Sequence, residues 1–345
     1  MSQLHTPILK APFPYFGGKS RIAPEIWSRL GDVQNYVEPF FGSGATLLAR
    51  PFDHVRKTET VNDLDGLLCN FWRAVQADPH AVAKAADWPI IESDLHARHA
   101  VLLEEFASLT ARLEGDPDFY DVQLAGWWVW GVGASIGNNW CNGKGPWRRT
   151  QTKDGLQLLS SKSKTPGITR SLPRLSDGGS GIHRQFPGAL EGQRAEGRTA
   201  YIQQTFEELG ERLRHVRVSC GDWKRVVTPA VTVRNGVTGI LLDPPYGIGS
   251  MDYAAGGNRS ATAKECAAWA VENGDNPQMR IAYCGYEGAA TFPDSWECLA
   301  WKTAGGYGGG MGGAADANRF RERVWFSPHC LNNEPLSTEA PASPS

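Results

Sequence analysis

Residues 37–48 read VEPFFGSGATLL: an apolar strand end, an acid, a proline, then a glycine-rich turn leading into an apolar run. Glycines at Gly42 and Gly44 allow a sharp turn between a strand and a helix, and a helix start offers amides to negative groups. Such a turn can also serve only to pack a helix tightly on a strand. The flanking sequence gives it a context. TETVND (Thr58–Asp63) has a second strand pattern ending on an acid, and LDGLLCNFWRAVQ (Leu64–Gln76) spaces its apolar residues as a helix does. Strand, turn, helix, strand and helix is the alternation of a parallel sheet, so the chain is predicted to be α/β.

The same grammar returns after residue 198. TAYIQQTFEELGERLRHV (Thr199–Val216) reads as a helix, RVSCGD (Arg217–Asp222) and TGILLD (Thr238–Asp243) as strands, and Ala261–Glu272 as a helix. Strand patterns follow at MRIAYCG (Met279–Gly285), CLAWK (Cys298–Lys302) and ERVWF (Glu322–Phe326). Two helices are predicted between the halves, in DLHARHAVLLEEFASLTARL (Asp94–Leu113) and FYDVQLAGWWVWGVGASIG (Phe119–Gly137).

Charge is distributed unevenly along the 345 residues. The net charge is −2, yet Gly143–Ala200 holds eleven Lys and Arg against four Asp and Glu. A basic stretch in an acidic body suits a polyanion, although a solvated loop has the same composition. Within it, Trp147, Arg148 and Arg149 join an aromatic ring to two forked donors and are candidate DNA contacts. Asn138, Asn139 and Asn142 could read base edges or simply form turns. The stretch Gly305–Phe320 is glycine-rich, and the Pro/Ser/Glu-rich tail is expected to be disordered.

Seven cysteines, odd in number and without a C-x-x-C pair, argue against a disulfide framework or a zinc site. No apolar run is long enough to span a bilayer. The expectation is a cytoplasmic protein with free buried thiols and no metal.

YFGGKS (Tyr15–Ser20) ends like a triphosphate-binding loop, but that loop needs a glycine where this chain has Phe13. Asp63 lies about twenty residues beyond the glycine turn, where an α/β nucleotide fold grips ribose hydroxyls, and it could also cap the next helix. In LLDPPYG (Leu241–Gly247) an apolar strand runs into Asp243. The paired prolines Pro244 and Pro245 restrict the backbone and remove amide donors, which leaves acceptors beside the ring of Tyr246. This combination suits an exocyclic amine held by acceptors while its plane is clamped.

Taken together and in this order, FPYFGGKSR, YVEPFFGSGA, VNDLD and LLDPPYG resemble the S-adenosylmethionine-dependent adenine-N6 DNA methyltransferases of the Dam-like D12 class. The resemblance implies a Rossmann-like methyltransferase fold, mostly parallel, with an inserted target-recognition region. It implies that Tyr15 and Lys19 flank the cofactor, the lysine facing its methionine carboxylate. Glu38, Pro39, Phe40, Gly42 and Gly44 would surround the methionine moiety, and Asp63 would hold the ribose. Asp243, Pro244, Pro245 and Tyr246 would form the catalytic tetrad, with Asp243 also at the cofactor. The implied substrate is double-stranded DNA, and the enzyme is expected to be a monomer.

On this reading residues 1–87 form the cofactor half, 88–200 the helical and basic recognition insertion, 201–330 the catalytic half and 331–345 the tail. A cytosine-N4 DNA methyltransferase shares much of this chemistry, with Ser usual in place of Asp243. A DNA-binding module that has kept the fold without activity is the other alternative.

Overall fold

The computed structural model describes residues 8–13, 15, 17–134, 140–141, 149–152, 155–158, 195–245, 259–301 and 321–331. Tyr246, Trp147, Arg148, the three asparagines 138, 139 and 142, the glycine-rich stretch 305–320 and the tail from residue 332 lie outside the described residues.

Helix α1 (Ala23–Leu30) starts with a proline in its first turn and leads into strand β1 (Asn35–Glu38). A one-turn helix, α2 (Ala45–Leu48), then precedes β2 (Thr58–Asp63) and α3 (Gly66–Ala77). Next come α4 (Pro79–Ala86), α5 (Glu92–Gly115) and α6 (Val122–Ala134). Strands β3 (Arg149–Thr152) and β4 (Gly155–Leu158) pair as an antiparallel hairpin inside the basic stretch, where sequence patterning gave no strands. The second half runs α7 (Ala195–Leu213), β5 (Val216–Cys220), β6 (Thr238–Leu242), α8 (Arg259–Asn273), β7 (Met279–Tyr286), β8 (Glu297–Ala300) and β9 (Glu322–Phe326).

Seven strands form one sheet in the order β5-β2-β1-β6-β7-β9-β8. The first five are parallel, and β9 runs antiparallel to both β7 and β8. This is the Rossmann-like methyltransferase architecture the motifs imply: from β1 the sheet extends through β2 and β5 to one edge and through β6 and β7 to the other, where β9 inserts between β7 and β8. The central strands β1 and β6 are buried along their whole length, as parallel strands covered on both faces must be. The buried Asn35 amide nitrogen donates to Val231 O at 2.7 Å and to Thr238 Oγ1 at 3.0 Å, which ties β1 to β6.

Phe13, which broke the triphosphate-loop pattern, is a core residue. Its ring lies 5.4 Å from Phe71 and 5.1 Å from Trp128, both edge-on, and each such pair adds roughly 0.5–1.5 kcal/mol beyond area burial. These contacts anchor the start of the chain against α3 and α6 and so hold the residues that follow at the end of the sheet. Helices α5 and α6 pack against α3, and α6 also packs against α4. Behind the sheet, Glu59 is buried between Arg50 and Arg212, accepting at 3.0 and 2.7 Å, which fastens β2 to α7.

Of the seven cysteines, five are buried, Cys330 is half-buried and Cys298 is exposed. The expectation of buried thiols throughout fails at Cys298 because it lies on β8, at the edge of the sheet, where a side chain meets solvent. Among the described residues no helix is long and apolar enough to cross a membrane.

Candidate active site

The strand order reverses between β1 and β6, and the carboxyl ends of strands flanking such a reversal open a crevice. Three acids named from the sequence fall there: Glu38 closes β1, Asp63 closes β2, and Asp243 follows β6 directly. They line one pocket with Tyr15, Lys19, Gly42 and Pro245. The structure therefore gathers residues from four separated motifs around a single cavity.

The glycine turn is built as the sequence requires, but its helix is short. Gly42 and Gly44 have φ of 51° and 68°, the left-handed region that side-chain-bearing residues avoid. A Cβ on Gly42 would lie 2.8 Å from the Tyr15 ring, so Tyr15 closes directly over the turn. The carbonyl of Gly42 accepts from Trp72 Nε1 at 3.0 Å, which ties the turn to α3. The expected helix after the turn is reduced to the single turn Ala45–Leu48. The chain then turns away at Ala49 toward the buried Arg50, which must reach Glu59, and a longer helix would carry it past that partner.

Of the two roles that sequence left open for Asp63, the helix cap falls to Asp65. Asp65 caps α3, accepting from the amides of Leu67 at 2.9 Å and Leu68 at 3.4 Å. Asp63 does not cap the helix. Its two oxygens accept from the amides of Gly42 and Asp65, each at 3.0 Å, which locks the glycine turn to the end of β2. Burial raises the pKa of Asp63, while the amides of Gly42, Asp65 and Leu64 work the other way. Asp65 is pushed up to about 7 by burial and by the neighbouring charge of Asp63.

Lys19 is only 4% exposed, and its Nζ lies 2.7 Å from Asp243 Oδ2 and 2.7 Å from the carbonyl of Gly17. Burial opposes its charge, but attraction from Asp243, with smaller contributions from Cys284 and Glu322, outweighs this and raises its pKa. The lysine thus joins the first motif to the last, a pairing that the linear order of the motifs did not foretell. Glu38 is buried and accepts from the Tyr36 hydroxyl at 2.9 Å; burial, with help from the charge of Asp243, drives its pKa well up.

Among the lining residues that sequence patterning overlooked, an acid and an aromatic stand out. Asp222 and Trp223 border the pocket just beyond β5, which neighbours β2. Trp223 is buried, its ring 6.1 Å from Phe40 and tilted by 32°. The available signal was an acid ending a strand, followed by an aromatic residue, in CGDW.

A buried ammonium, carboxylates at three strand ends, a turn that approaches through glycines and an aromatic wall form a donor set. It fits a zwitterionic cofactor that carries a nucleoside, as S-adenosylmethionine does. The fold is that of the Rossmann-like methyltransferases. Residues 15–107 match the sequence model of the D12 class N6 adenine-specific DNA methyltransferase family, the class that the four motifs resemble. The match supports adenine-N6 methylation of DNA as the activity and S-adenosylmethionine as the methyl donor. No curated protein matches the chain.

Proposed function

We propose that the chain is a site-specific DNA methyltransferase acting on adenine N6. The observation that carries this reading is the convergence of Lys19, Glu38, Asp63 and Asp243 on one crevice at the sheet's reversal. Bound S-adenosylmethionine supplies an electrophilic sulfonium methyl group. Asp63 and the glycine turn would hold its ribose and methionine portions, and Trp223 offers an apolar face to its base.

Adenine N6 is a weak nucleophile because its lone pair is delocalised into the ring. Inside a duplex it is also out of reach, and turning the base out costs roughly a few kcal/mol. Stacking on Tyr246, worth about 1–3 kcal/mol for a base on an aromatic ring, would offset much of that. Asp243 and the carbonyl of Pro244 would accept the two N6 hydrogens and localise the lone pair toward the methyl group. Position and electrostatics would do the catalysis. The basic stretch within residues 88–200 would hold the DNA backbone, with Trp147, Arg148 and Arg149 as its contacts.

The test is transfer of labelled methyl groups from S-adenosylmethionine to long, unmethylated double-stranded DNA, followed by digestion and separation of the nucleosides. Label in N6-methyl-2′-deoxyadenosine is expected. Label in N4-methylcytosine would overturn the base assignment, and cofactor binding without transfer to any DNA would overturn the enzymatic reading.

A further inference from the structure

Glu322 opens β9, and because β9 runs against β7 its first residue lies on the edge where the parallel strands end. The side chain is 8% exposed, and its Oε2 has no hydrogen-bond partner among the described residues. A buried carboxyl oxygen left unpaired is costly, so a functional reason for keeping one is worth seeking.

The groups around it are specific. Glu322 pairs across the sheet with Tyr286, and its carbonyl accepts from the Trp301 amide at 3.3 Å, while Lys19 Nζ, which holds Asp243, lies 6.0 Å from the Trp301 ring; Cys284 on β7 is also within electrostatic reach. On its own strand, Arg323 donates to the carbonyl of Glu322 at 3.0 Å and to Glu287 at 2.9 Å, and Arg321 donates to the carbonyl of Glu287. Glu38 on β1 faces the same lysine. One ammonium thus serves three carboxyl groups, and in this structure Asp243 holds it at 2.7 Å.

We propose that Glu322 is a positioning residue for methyl transfer: an ionisable carboxyl that competes with Asp243 for the single ammonium of Lys19. The proposal rests on the methyltransferase reading of the site. In the transfer a bond forms from N6 to the methyl carbon, the carbon–sulfur bond breaks, and its electron pair stays on sulfur. N6 gains positive charge and releases a proton through Asp243 to water. Lys19 held wholly by Asp243 weakens that carboxylate as an acceptor for the N6 hydrogens. Ionised Glu322 draws part of the lysine's charge away, and Asp243 becomes the stronger acceptor. Burial, with a smaller contribution from Asp243 and against the pull of Lys19, pushes Glu322 up to about 7, so this exchange falls at neutral pH.

The experiment compares wild type, Glu322→Gln and Glu322→Asp in single-turnover transfer to long unmethylated DNA across neutral pH. S-Adenosylmethionine is saturating, and its affinity is followed by tryptophan fluorescence. Wild type should gain about tenfold in rate with rising pH. Glu322→Gln should stay on the low plateau with unchanged cofactor affinity, and Glu322→Asp should keep the rise. Titration of the cofactor's own amino group is common to all three proteins, so only the difference between profiles counts. A rise of equal size in Glu322→Gln, or a wild-type rate that does not change across neutrality, overturns the proposal while leaving the methyltransferase reading intact. A wild type that binds cofactor but transfers no methyl group overturns both.

Discussion

Lys19 and Asp243 stand 224 positions apart in the sequence and 2.7 Å apart in the structure, one nearly enclosed and the other facing the crevice. The first motif is therefore a structural partner of the Asp243 motif as well as a candidate cofactor contact. Removing the ammonium would leave a partly buried carboxylate unbalanced. Lys19→Met should lower the unfolding free energy by about 3 kcal/mol, with a smaller loss in Lys19→Arg. Urea denaturation measures both, and equal stability of Lys19→Met and wild type would deny the pair any structural weight.

Asp243→Ala is expected to reduce methyl transfer by at least about 10²- to 10³-fold, the scale for losing a preorganised polar contact in a transition state. The fold should persist, because Asp243 follows β6 without belonging to it. Labelled transfer and circular dichroism report the two effects separately. Wild-type rates in this variant would rule out the assigned mechanism.

A methyl group at position 42 meets two obstacles, a φ of 51° and the Tyr15 ring. Gly42→Ala should cost about 1–3 kcal/mol in stability and weaken S-adenosylmethionine binding. The double variant with Tyr15→Ala relieves the clash but not the backbone strain, so it should recover only part of the loss. Thermal melts and cofactor titration of both variants decide this.

The neighbouring acids Asp63 and Asp65 should separate cleanly. Asp65→Ala loses a helix cap and about 1 kcal/mol of stability. Asp63→Ala releases the glycine turn and should act mainly on cofactor affinity, by about tenfold or more. Equal effects of the two on cofactor affinity would contradict the division of roles.

Four acids in the site, Glu38, Asp63, Asp65 and Glu322, have folded pKa values above their ordinary ones, and Asp65 and Glu322 each lie at about 7. For such groups the protonated form is favoured in the folded state. The stabilisation is complete below the ordinary carboxyl range and is lost as pH rises toward 7. Unfolding free energy should therefore fall between about pH 4.5 and 7. Glu322→Gln, which mimics the protonated form, should match wild type at the acidic end and exceed it near pH 7 by about 2 kcal/mol. Urea midpoints across this range provide the check, and parallel curves for the two proteins would refute it.

Much of this site was legible because its chemistry sits where strands end, and strand ends leave local marks: an apolar run, an acid, then glycine or proline. Asp63 and Asp243 were singled out this way, and Glu38 came only through the resemblance of its motif. The helix cap was wrongly open to Asp63 because two acids two residues apart both fit a strand end and a helix start, and only the direction of each carboxyl gives the cap to Asp65. Asp222 and Trp223 carried a weaker form of the same mark. Glu322 carried none. It opens a strand, and it reaches the site only because β9 runs opposite to its neighbours, a matter of tertiary pairing that local patterning does not encode.

The reversed final strands have one more effect. β8 ends at Ala300 and β9 begins at Glu322 on the edge where β6 gives way to Asp243, so the chain leaves the sheet and rejoins it beside the reacting groups. Between Pro245 and α8, whose Thr262 borders the pocket, it departs and returns a second time. Length and composition in these two connections can change over evolutionary time without altering a single strand register.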